Sequence, residues 1–145
     1  VVRALERFRP PGPPGSIVLA NGRPAHAGRR SELTISIRQS FMIGSAFDAT
    51  TDRFVLAVVG YYYSLRDLNE REIVSWHWHP ETPHTIPFPH LHLGPAAQVG
   101  RAEMHRAHLP IGIVTVADVV RSASADFGVE PLCDDWAAVL DSTPA

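Results

Sequence analysis

Residues 33–43 read Leu-Thr-Ile-Ser-Ile-Arg-Gln-Ser-Phe-Met-Ile, and a period of two dominates them. Leu33, Ile35, Ile37, Phe41 and Ile43 fall on one side, while Thr34, Ser36, Arg38 and Ser40 fall on the other. Successive side chains of a strand point to opposite faces. The spacing therefore predicts a strand with one face buried and one face open. The next apolar run, Phe54 to Tyr63, is hydrophobic on both faces and rich in β-branched and aromatic residues, which predicts a central strand. The polar loop Arg66-Asp67-Leu68-Asn69-Glu70 leads into a third strand, Glu72 to His79. Three strands joined by short polar links imply an antiparallel meander.

The flanks are read on the same grounds. Val1, Val2, Leu5 and Phe8 have helical spacing in a short segment ended by Pro10-Pro11. Residues 10–30 form a Pro-, Gly- and Arg-rich arm expected to be irregular, with a brief strand near 16–20. His90 to Leu93 makes a short fourth strand ending at Gly94-Pro95. Thr115 caps a helix whose Val116, Val119, Val120, Ala123 and Phe127 share one face. Asp118 completes a capping box, and Gly128 is a C-terminal stop. A last short helix, starting at Asp134 or Asp135, is expected to bury Trp136, Val139 and Leu140. The expectation is an α+β fold in a single domain over residues 1–145. It comprises the arm (10–30), a β-meander with a histidine-rich loop (33–95), and C-terminal helices (115–141) packed, with the short N-terminal helix, on one face of the sheet. With 145 residues and 45% hydrophobic content, a real core is within reach.

Five of the eight histidines fall between residues 77 and 92. Two pairs have His-x-His spacing, so His77 and His79 share one strand face with Trp76 and Trp78 opposite, and His90 shares a face with His92. Prolines 80, 83, 87 and 89 stiffen the connecting loop, which also carries His84. Imidazole titrates near neutral pH, ligates transition metals and hydrogen-bonds phosphate.

Three readings stay open. One is metal-free cleavage of RNA, with His79, His84, His90 and His92 as acid–base candidates, Arg38 on phosphate, and Tyr62 and Tyr63 stacking on bases. It needs no cofactor. A second is a metal-dependent hydrolase using His77, His79, His90 and His92; Glu81 is the only carboxylate close by in sequence. The third is a non-catalytic binding protein in which the cluster is structural. His105 and His108 read as solvated linker residues. Gly94 stands where a histidine-triad hydrolase needs its third histidine, which sets that family aside.

Charge adds little. The net charge of −2 provides no global field favouring nucleic acid, although six arginines sit in residues 1–30. All 13 basic residues are Arg, which suits phosphate but equally suits a GC-rich genome. The single Cys133 beside Asp134 and Asp135 reads as structural and fits a reducing cytoplasm. Neither a signal peptide nor a membrane span is expected.

The stretch from Tyr61 to Pro95 resembles the TumE-type toxins of bacterial toxin–antitoxin systems. The shared order is an aromatic strand (Tyr61-Tyr62-Tyr63), a polar hairpin, then a Pro/His loop closing on Phe88, Pro89, His90, His92 and Gly94. Leu91 stands where the family carries a further histidine, and Trp78-His79-Pro80-Glu81 replaces its Asp-Asn-Ala-Pro-His run. The resemblance implies a small cytoplasmic toxin with a cognate helix-turn-helix antitoxin. RNA is the target expected from the histidine set, and homo-oligomerisation stays open.

Overall fold

The computed structural model describes residues 13–28, 31–46, 53–80 and 86–142. The expected N-terminal helix, with Val1, Val2, Leu5 and Phe8, lies outside them, as does His84. Among the described residues, seven strands form one antiparallel sheet: β1 (Gly15–Val18), β2 (Ala25–His26), β3 (Leu33–Ala46), β4 (Arg53–Asp67), β5 (Glu72–Trp78), β6 (His90–Leu93) and β7 (Leu109–Pro110). The order is β1-β3-β4-β5-β6-β7, with β2 also pairing on β3. The fold is α+β: helices α1 (Val116–Ala125) and α2 (Trp136–Asp141) follow the sheet, and α1 packs on one face.

The arm is less irregular than its composition suggests. Gly15–Val18 and Ala25–His26 both find hydrogen-bonding partners along the open edge of β3. A long half-buried strand leaves backbone groups needing partners, and the arm supplies them.

The period-two pattern decides which side is covered. Ile35, Leu65 and Val74 line up across β3, β4 and β5, and Ile37, Tyr63 and Trp76 form the next row. With Tyr61, these residues, all buried but the half-buried Ile37, meet Val119 and Ala123 of α1 and Val129 beyond it. Leu65 and Val119 are fully enclosed, each burial stabilising by about 1.5–3 kcal/mol. The rings of Tyr61 and Tyr63 stack at 4.7 Å, and the Val114 amide donates to the Tyr61 hydroxyl at 3.1 Å, fixing the chain entering α1. The capping box on α1 is present: Thr115 Oγ1 accepts from the Asp118 amide, and the Thr115 amide donates to the Asp118 carboxylate. Gly128 follows in the left-handed region at φ +67°.

α2 begins after Asp135 as expected, but it buries no residue, and Val139 is 51% exposed. Trp136, Val139 and Leu140 share one helical face by spacing, but that face is only partly covered, Trp136 and Leu140 being half-buried. Among the described residues, no helix is long and apolar enough to cross a membrane.

Candidate metal centre

The uncovered face is organised by the same register. Arg38, Tyr62, His77 and His90 stand opposite one another in a row across β3, β4, β5 and β6. Ser36, Ser64, Ser75 and His92 form the adjacent row. Gly94 holds β6 in this alignment. Its amide donates to the Ile73 carbonyl at 2.8 Å, and a Cβ there would run into the Glu72 carbonyl.

His77, His90 and His92 converge. Their ligand nitrogens lie within 4.8 Å of one another. The ring centroid separations are 5.4 Å (His77–His90), 4.8 Å (His77–His92) and 5.0 Å (His90–His92). A tetrahedral ion with Zn–N bonds near 2.05 Å holds its nitrogens about 3.4 Å apart, so a contraction of about 1.4 Å at most completes the set. The pair expected from His-x-His spacing is thus on one face, and β5 contributes the third ring.

Two local features favour ligation. His90 Nδ1 lies 2.9 Å from the Phe88 carbonyl, an acceptor only, so Nδ1 carries the proton and Nε2 presents its lone pair. His77 Nε2 is buried without a hydrogen-bond partner among the described residues. Burial, then the neighbouring His92, His90, His79 and His108, push the His77 pKa down to about 3. Burial is also the leading cause that lowers His79 and His92; for His92 the nearby Glu72 carboxylate opposes the shift. These rings are therefore neutral at pH 7, the state that a metal requires.

A second ring of groups surrounds the triplet. His79 lies 5.5 Å and His108 lies 5.1 Å from His90, and His108 is only 4.4 Å from His92. Glu72 accepts from the Tyr62 hydroxyl at 2.8 Å and from Ser75 Oγ at 2.7 Å. Arg66 donates to the Tyr62 hydroxyl at 2.9 Å. Two clefts flank Arg38 and Tyr62. One, of about 270 Å³, also meets His79 and Trp78; the other, of about 290 Å³, also meets Arg66 and Leu19.

The structure thus brings together His77, His79, His90, His92, Arg38 and Tyr62. Tyr63 is a correction. It is 1% exposed on the helix-covered face, its hydroxyl donating to Gln39 Oε1 at 2.7 Å, and burial raises its pKa. It has no free ring face for a base. His108 is exposed, as expected of a solvated residue, and it also lies beside the cluster because β7 pairs with β6, His90 opposite Pro110. His105 is tied down too, with Nδ1 3.0 Å from the Leu93 carbonyl. Cys133 is exposed, and its pKa is raised, first by its hydrogen bond with Asp135. The chain matches no protein-family model, no curated protein and no solved structure.

Proposed function

We propose that this protein is a metal-dependent hydrolase whose ion, of the zinc type, is held by His77, His90 and His92. The observation that carries the reading is the orphaned, buried Nε2 of His77, with two further imidazoles converging on it. Leaving a buried nitrogen unpaired costs about 1–3 kcal/mol, and an ion removes that cost. Three imidazoles leave a fourth position open, and zinc so held lowers the pKa of water to about 7. Around that position, Glu72 is oriented by Tyr62 and Ser75, and His79 and His108 stand ready to hold or pass a proton.

The metal-free ribonuclease reading uses the same face but needs one imidazole protonated near neutral pH. Burial and mutual proximity depress His77, His79 and His92 together, which works against the acid half of such a pair. The biological setting we propose is that of a toxin with a helix-turn-helix antitoxin. It rests on Phe88, Pro89, His90, His92 and Gly94 and their resemblance to TumE-type toxins.

Metal analysis tests the reading. After purification without affinity metal, loading with zinc and dialysis, about one zinc per chain is expected. His90→Ala and His92→Ala should each weaken zinc binding by roughly 10²-fold or more, beyond the loss typical of supporting residues. A protein that retains no zinc, and cleaves RNA undiminished in chelator, overturns the proposal in favour of metal-free catalysis.

A further inference from the structure

The two clefts share Arg38 and Tyr62. Each has apolar wall: Pro14, Val59 and Pro80 in the first, Val18, Leu19 and Pro24 in the second. Each is too small for a folded macromolecule and suited to one flat, partly apolar group. Between them stands a guanidinium. Arg38 is exposed, and among the described residues it makes no ion pair. Arg66, held against Tyr62, adds a second positive charge to the second cleft without an ion-pair partner of its own among those residues. Arg38 is two strands from His77 in the same row, about 10 Å between backbones at the usual strand spacing, with Tyr62 between them and its ring 4.7 Å from that of His77.

From this arrangement we infer that the open face binds a single-stranded oligonucleotide across one dinucleotide step, a base in each cleft and the intervening phosphodiester on Arg38. Base stacking and apolar contact suit the cleft walls, and the planar guanidinium fits a phosphate bidentately. A duplex is excluded by the same geometry, because its bases are already stacked and cannot enter separate clefts. The substrate class rests on the proposed metal centre for its chemistry, though not for its binding. Hydrolysis of the step adds one water across a P–O bond, the hydroxyl going to phosphorus and the proton to the departing sugar oxygen.

The test is fluorescence anisotropy with labelled eight-nucleotide oligouridine, oligodeoxyuridine and a blunt duplex of equal length, with zinc-loaded and chelator-treated protein. Single strands should bind and the duplex should not; comparing the two single strands decides whether the sugar is read. Arg38→Ala should weaken binding roughly tenfold or more, the loss of one charge-assisted contact. It should also reduce the slope of log K against log salt by about 0.7, the value of one phosphate on a single strand. Arg121→Ala, whose side chain is engaged with Asp141 on the helices, should change neither. Single-strand binding indifferent to Arg38, or equal binding of the duplex, overturns the inference. Arg38-dependent binding by protein that takes up no zinc supports the docking step and overturns the metal centre. Stoichiometric zinc with no Arg38-dependent binding does the reverse.

Discussion

His77 should make the protein acid-sensitive in a measurable and separable way. Its imidazole is held at a pKa of about 3, chiefly by burial and then by four neighbouring histidines. In the unfolded chain it returns to about 6.5. Between these values the unfolded state binds a proton that the folded state refuses, so acid favours unfolding. The contribution is fully present above pH 6.5 and is lost progressively as the pH falls towards 3. At pH 5 the unfolded side chain is almost fully protonated and the folded one almost fully neutral, a penalty of about 2 kcal/mol relative to pH 8. The perturbation is His77→Gln, which keeps a polar group without a titration. Urea unfolding in chelator at pH 8 and pH 5 should show wild type losing about 2 kcal/mol more than the variant across that interval. His79 and His92, also depressed, act with the same sign in both proteins, so the difference isolates His77. Equal losses in the two proteins would falsify the assignment of His77 as a buried neutral imidazole.

Two further substitutions probe what positions the face. Gly94→Ala should destabilise by roughly 1–3 kcal/mol in denaturant, because the added methyl meets the Glu72 backbone and forces β6 away from β5; zinc affinity should fall with it, and an unchanged affinity would detach His92 from that alignment. Thr115→Ala should cost about 0.5–2 kcal/mol by removing the α1 cap, with zinc binding unchanged because α1 lies on the opposite face.

The sequence made some of this legible for physical reasons, and withheld the rest for others. Alternation in 33–43 exposed one covered and one open face, and His-x-His spacing put each histidine pair together. The capping box at Thr115 and Asp118 is local chemistry, so it was readable without tertiary knowledge. Tyr61-Tyr62-Tyr63 was not resolvable by pattern, because every position is aromatic. Only the pairing partners decide, Trp76 drawing Tyr63 into the core and His77 setting Tyr62 on the open face. The two-residue strands β2 and β7 are too short to carry a period. His108 therefore had no signal in its own neighbourhood; it joins the cluster through the register of β7 on β6. α2 shows the opposite failure, a spacing that fits a buried stripe on a helix whose stripe is only partly covered.

The placement of the histidines at one margin of the sheet has a kinetic consequence. His90 and His92 ride on a four-residue strand, and His108 precedes a two-residue strand that is the last in the sheet. Such a margin opens by local fluctuation at far lower free energy than the whole fold. β6 and β7 amides should exchange with deuterium ahead of those in the middle of β4, and a ligand such as zinc would slow them selectively. Release of the ion would then follow the opening rate of this margin, with β3, β4 and α1 still intact.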